Sequence, residues 1–188
     1  MMPPTAPATR IVLSGPESSG KSTLAAALAD AFQVPVAAEY AREFLETGGT
    51  APDTPAALGE LARAHLAWQT HHVPPDTAVG IFDTDMLNYH IWADVAFGTV
   101  PPVIATGLAA EHHHIHLLCT PDLAWQPDPL REFPDPEKRR ALFLRHLQEI
   151  EARQLRHIII SGTGPTRLDA ACRAVTNILA AMPGDAGC

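Results

Sequence analysis

Apolar positions along this 188-residue chain follow two patterns. Five short runs are apolar almost throughout: Ile11–Leu13, Val34–Ala38, Val79–Phe82, Ile115–Cys119 and His157–Ile160. Such runs mark strands buried on both faces. Between them, apolar residues recur at helical spacing. Thr23–Phe32 is an alanine-rich helical stretch, and a second helix starts near Met86. Thr54-Pro55 supplies an N-cap and then proline at the first helical position, followed by Leu58, Leu61, Ala62 and Trp68. Asp135-Pro136 opens a helix in the same way, with Phe143, Leu147 and Ile150 on one face. A last helix runs from about Arg167 to Ala181, where Pro183-Gly184 stops it. The alternation predicts an α/β fold: a five-stranded parallel sheet with helices on both faces. The expected organisation is a flexible N-terminus over residues 1–9, one domain over 10–182 and a flexible tail over 183–188. Residues 120–140 are proline-rich and charged, and read as a short lid.

Ligands of such sheets bind beyond the carboxyl ends of the strands, so the residues following each run carry the chemistry. After the first comes Gly15-Pro-Glu-Ser-Ser-Gly-Lys-Ser22, which fits G-x-x-x-x-G-K-[ST] between a predicted strand and a predicted helix. Its glycines let backbone amides turn inward on a polyphosphate, and the helix N-terminus adds partial positive charge. Gly15, Glu17, Ser18, Ser19, Gly20, Lys21, Ser22 and Thr23 are therefore candidate nucleotide ligands. Lys21 is placed for the β/γ-phosphates and Ser22 for Mg²⁺. The expected architecture is a three-layer P-loop NTPase fold, with ATP and Mg²⁺ as cofactors.

The other strand ends supply candidates for the rest of the site. Asp83 follows an apolar run, as a carboxylate in a Mg²⁺ shell does; alternatively Asp83 or Asp85 caps the next helix. Glu39 can take the proton of an acceptor hydroxyl, with Asp83 as rival base, or can simply be helix N-terminal charge. Arg42 either binds substrate or pairs with Glu39 or Glu46. Arg131 is the lid arginine expected to meet charge on a transferring group, with Arg139 and Arg140 as alternatives that can equally be a solvated helix face. Trp125 either stacks on a flat ring or plugs the lid onto the core. Tyr40 and Asp85 join Trp125 as candidate ribose and ring contacts, and Gly162 with Arg167 as the nucleotide-side contacts after the fifth strand.

Composition narrows the partners. With 46% hydrophobic and 18% charged residues the chain is globular rather than disordered. A formal net charge of −8 argues against bulk nucleic-acid binding. No apolar run approaches the roughly 18 residues of a membrane span, and the first ten residues lack the apolar core of a signal peptide. Three cysteines without a C-x-x-C pair suit reduced thiols, so a cytoplasmic location is expected. The partner is then a small-molecule substrate; oligomeric state is not legible. Histidines 112, 113, 114 and 116 match no zinc-ligand spacing, and neighbours on a strand face opposite sides, so they are read as non-ligating.

Taken together, Gly15-Pro-Glu-Ser-Ser-Gly-Lys-Ser-Thr-Leu24, Glu39-Tyr-Ala-Arg-Glu-Phe44, Asp83-Thr-Asp85, the pattern Pro121-Asp…Trp125…Asp128…Leu130-Arg131 and the loop Ser161 to Arg167 resemble the ribosylnicotinamide kinase domain of NadR-type proteins. The resemblance spans about Arg10 to Ala181. It implies ATP- and Mg²⁺-dependent phosphorylation of the 5′-hydroxyl of nicotinamide riboside, giving nicotinamide mononucleotide. The alternatives are a kinase for another nucleoside or small hydroxyl compound, or a regulatory P-loop ATPase or switch. No H-x-G-H nucleotidyltransferase signature is present, so adenylyl transfer is not implied. Pro129 stands where the family pattern carries glycine, which stiffens the lid.

Overall fold

The computed structural model describes residues 8–127 and 134–181. Strand β1 (Thr9–Ser14) runs through the middle, and Ile11, Val12 and Leu13 are fully buried. Helix α1 (Lys21–Phe32) follows, then β2 (Val36–Ala37), α2 (Tyr40–Glu46) and α3 (Pro55–His72). Next come β3 (Val79–Asp83), α4 (Met86–Phe97), α5 (Pro102–Ala110) and β4 (Ile115–Cys119). The chain continues through α6 (Pro136–Ala152), β5 (Arg156–Ile160) and α7 (Gly164–Ala180). The sheet has the order β2-β3-β1-β4-β5, and each pairing is parallel.

Alternation along the strands sorts the core into two layers. Ile11, Leu13, Ile81, Ile115, Leu117 and Cys119 pack against Leu24 and Leu28 of α1 and Val175 and Ile178 of α7. On the other face, Leu118 joins Leu58, Met86, Leu87, Ile104 and Ile150 from α3, α4, α5 and α6. Each strand thus buries both faces, which is why its sequence is apolar without interruption. At the far edge, β5 leaves Ile158 and Ile159 exposed.

Three features depart from the sequence expectation. β2 is shorter than 34–38 because the Val34 N–H closes the end of α1 on the Ala29 carbonyl, and Pro35 has no N–H; only its carbonyl joins β3, accepting from Ile81 at 3.0 Å. Helix α5 was not expected: Pro101-Pro102 and Gly107 read as turn residues, yet Pro102 occupies the tolerated first turn. Gly107 lets α4 come close, since a Cβ there would lie 2.8 Å from Met86 Cγ. Helix α7 begins at Gly164, before Arg167.

Two histidines lie inside the helical layer. His65 of α3 is 1% exposed, packs on the Tyr89 ring at 4.8 Å and has no hydrogen-bond partner at either ring nitrogen. His146 of α6 is also buried, with Nδ1 on the Leu142 carbonyl. Burial pushes both down from 6.5 to about 4. Between those values the unfolded chain takes up protons that the folded chain refuses, so stability falls as pH falls. Urea melts at stepped pH should show this loss between about 6.5 and 4, and a shallower slope in His65→Gln. An unchanged slope in the variant would refute the assignment to His65.

Candidate functional site

The phosphate loop leaves β1 at Gly15 with φ 128°, and a Cβ there would lie 2.6 Å from the Cys119 carbonyl oxygen. Only glycine fits that passage. Gly20, with φ 78°, starts α1, and no side chain caps the helix, so its first amides remain directed at the loop. The Pro16 carbonyl accepts from Ser19 Oγ at 2.7 Å and from Lys21 Nζ at 2.9 Å. Lys21 is thus folded back over the loop, held by an interaction a phosphate can replace.

Two buried arginines brace this loop from outside. Arg167 of α7, 4% exposed, donates to the Ser19 carbonyl at 2.8 Å, the Thr120 carbonyl at 3.0 Å and the Gly162 carbonyl at 2.9 Å. Arg139 of α6, 3% exposed, donates to the carbonyls of Ser18 and Leu123, each at 3.0 Å, and to that of Glu17 at 3.3 Å. Arg139 is therefore no solvated face, whereas Arg140 is exposed. The Arg167 guanidinium is engaged with loop carbonyls, so the structure places it behind the expected nucleotide contacts rather than among them.

Asp83 ends β3 beside the loop and is 2% exposed. Burial raises its carboxyl; Lys21, a hydrogen bond with the Ser22 side chain and Arg42 pull it back down. Its Oδ1 is buried without a hydrogen-bond partner. An orphaned carboxylate oxygen next to a hydroxyl suits a hydrated Mg²⁺, and Ser22 with Asp83 would hold it. Lys21, Ser22 and Asp83 thus come together as the spacing predicts. Asp85 does not join them. Thr84 turns the chain with φ 70°, and Asp85 caps α4 through the Leu87 N–H at 3.0 Å while bonding His114.

Glu39 is the N-cap position of α2, and its side chain makes no cap bond. It lies close enough to Tyr89 that, after burial, its charge is the next cause raising that phenol. The Tyr89 hydroxyl is buried without a partner. Tyr40 lies 5.5 Å from the ring of Trp68, whose Nε1 donates to the Ala38 carbonyl at 3.1 Å. Tyr40, Phe44, Pro52, Ala57 and Leu61 line a cavity of about 350 Å³. Trp68 and Tyr89 were missed as site residues because helical spacing accounts for both. Their signal is positional: Tyr89 falls one helical turn after Asp85. Arg42 pairs with Glu46 at 3.2 Å while also acting on Asp83.

The connection after β4 crosses the loop. A Cβ on Gly20 would lie 2.7 Å from Leu123 Cδ1, and the Gln126 N–H donates to Ser18 Oγ at 3.3 Å. Asp122 accepts from the Gly162 N–H at 2.7 Å and from Thr120 Oγ1 at 2.6 Å. Those bonds and Arg167 outweigh the small effect of burial and hold the Asp122 carboxyl low. Trp125 is half-buried, with its indole N–H enclosed and without an acceptor. Arg131 and Pro129 lie outside the described residues.

The profile of a family described as an AAA domain matches residues 10–167, most of the chain and all of the loop, strand ends and arginines above. The chain belongs to this AAA-domain family. No curated protein sequence matches it. Among solved structures, this AAA domain is similar to NadR protein in complex with NR, at 18% identity and TM-score 0.69, over 96% of this chain and 54% of that one. NadR protein in complex with NAD and AMP-PNP gives 18% identity and TM-score 0.71, over 96% and 52%. The chain thus spans about half the length of these NadR chains. Thymidylate kinase from Ehrlichia chaffeensis gives 13% identity and TM-score 0.58, over 92% and 99%. The likenesses show the fold: an all-parallel five-stranded α/β sheet of the P-loop kinase type.

The close pass at Gly15 gives a direct test. Gly15→Ala should keep the far-ultraviolet spectrum and weaken binding of a fluorescent ATP analogue at least about tenfold, because the loop must shift to admit the methyl group. Wild-type affinity in this variant would show that the loop does not hold the nucleotide.

Proposed function

We propose that this AAA domain is an ATP- and Mg²⁺-dependent small-molecule kinase that phosphorylates the 5′-hydroxyl of nicotinamide riboside to nicotinamide mononucleotide. The observation that carries the reading is the grouping of Lys21, Ser22 and the unpaired buried oxygen of Asp83 at one loop mouth. Glu39 and an aromatic-lined cavity lie on the same side, after the neighbouring strand β2. The choice of acceptor rests on the sequence resemblance and on the shared fold with NadR protein solved with NR.

In this mechanism the amides from Gly15 to Thr23 receive the polyphosphate. Lys21 exchanges the Pro16 carbonyl for the β- and γ-phosphates. Mg²⁺ at Ser22 and Asp83 supplies charge neutralisation on the same oxygens. Glu39 accepts the proton that the acceptor hydroxyl loses as its oxygen bonds to phosphorus. Tyr40 and the neighbouring cavity receive the ring and ribose, with Arg42 and Trp125 at the rim. Gly162 borders the adenine, and Arg131 in the lid of residues 120–140 meets the transferring group. Positioning and electrostatics supply most of the rate. Among the described residues no helix is long and apolar enough to cross a membrane; free Cys119 and Cys172 fit the reducing cytoplasm we assign to the reaction.

Mass spectrometry of products after incubation with ATP, Mg²⁺ and a panel of nucleosides and small alcohols decides the matter. Nicotinamide mononucleotide as the main product supports the proposal, and a different phosphorylated acceptor reassigns the substrate. ADP release unaffected by any acceptor would sink the kinase reading in favour of an ATPase or switch. Lys21→Ala should lower turnover on the order of 10²-fold. Glu39→Gln should lower kcat by about 10²-fold with little change in KM; a pure KM effect would make Glu39 a binding residue.

A further inference from the structure

On the sheet face covered by α4 and α5, four side chains with metal-binding atoms converge behind the phosphate loop. Asp85 Oδ2 lies 3.0 Å from His114 Nδ1, which is 4.0 Å from Glu111 Oε2. The ligand atoms of these three residues all lie within 4.8 Å of one another. His116 Nε2 is 3.7 Å from the same Asp85 oxygen and has no hydrogen-bond partner, although the residue is 1% exposed. Its other ring nitrogen is bonded to Ser14 Oγ at 2.8 Å, which orients the ring. Glu111 Oε2 accepts from the Met86 N–H at 2.8 Å. Both carboxylates and both imidazoles are buried.

We propose that Asp85, Glu111, His114 and His116 form a structural site for a zinc-like divalent cation. With bonds of about 2.0–2.1 Å, a tetrahedral site has ligand atoms roughly 3.3 Å apart, so the spacings here need only small side-chain adjustment. The chemistry of the set agrees. Two buried carboxylates beside neutral imidazoles leave charge uncompensated, and a dication compensates it. Imidazole with carboxylate suits zinc and its first-row neighbours better than magnesium or calcium. The hydrogen bonds from Ser14 to His116 and from Met86 to Glu111 supply the outer support that ligating groups carry. Glu111 and His114 also line a cavity of about 480 Å³, which gives an entry path.

Spacing along the sequence conceals this set. His114 and His116, two apart, share a face of the sheet, while Asp85 and Glu111 arrive from the starts and ends of helices. His112 and His113 lie outside it: both are exposed, with their Nδ1 atoms on the Ala109 and Ala110 carbonyls. A cation here would also fix the Thr84 turn that separates Asp85 from Asp83. The site is independent of the acceptor and of any transfer step.

The test uses the full chain, stripped with a chelator and free of nucleotide. Zn²⁺ is titrated in competition with a chromogenic chelator, and Co²⁺ is followed by visible absorption. We expect one tight equivalent, a saturable rise in Tm with Zn²⁺, and the intense d–d bands of four-coordinate Co²⁺. Glu111→Gln and His116→Gln should each weaken binding at least about tenfold, with near-ultraviolet circular dichroism confirming that each is folded. The double variant His112→Ala/His113→Ala should bind as wild type. Binding lost in that double variant, or kept in both ligand variants, overturns the site. Should a ligand variant fail to fold, the wild-type protein still decides: absent or weak octahedral Co²⁺ bands refute it.

Discussion

Between the ends of β1 and β4 the backbone of Gly15 passes the Cys119 carbonyl so closely that no side chain can stand between them. That contact fixes where the phosphate loop begins its curve. Because β1 and β4 are parallel neighbours, it also ties the loop to the connection that crosses it. The inward amides, the uncapped start of α1 and the position of Lys21 all depend on the same passage.

The loop is also held by charge placed where solvent cannot reach it. Arg139 and Arg167 come from different helices and point their donors at loop and crossover carbonyls. Hydrogen bonds from a charged donor are roughly twice as strong as neutral ones, and burial raises the cost of leaving either guanidinium unmatched. The arrangement consumes carbonyl oxygen on the outer side of the loop and leaves the amide hydrogens to the inner side. A concave surface rich in donors results, even though the chain as a whole is strongly acidic.

Much of this was readable from residue order. Five apolar runs became five parallel strands because strands covered on both sides need no polar face. The glycine–lysine–serine spacing located the loop, and Asp83 ends its strand beside Ser22 as expected. What stayed hidden depends on contacts distant in sequence. Helix α5 hid behind prolines that favour turns until Pro102 is seen in a first helical turn. Arg139 reads as a surface residue until α6 is placed against the loop. Trp68 and Tyr89 fit helical periodicity so well that periodicity alone could not single them out. The partnership of Asp85 with His114 links residues 29 positions apart, which no local spacing encodes.

Thr84 remains the smallest element with the widest reach. Its left-handed backbone sends two acids on either side of it in different directions, Asp83 toward the loop mouth and Asp85 into the interior. The strand's alternation cannot do this, since residues two apart share a side. A deletion or insertion at this point would therefore exchange an inner charge for an outer one, stranding a carboxylate among apolar side chains. The turn serves as the registration mark of β3: it sets which acid belongs to catalysis and which to architecture.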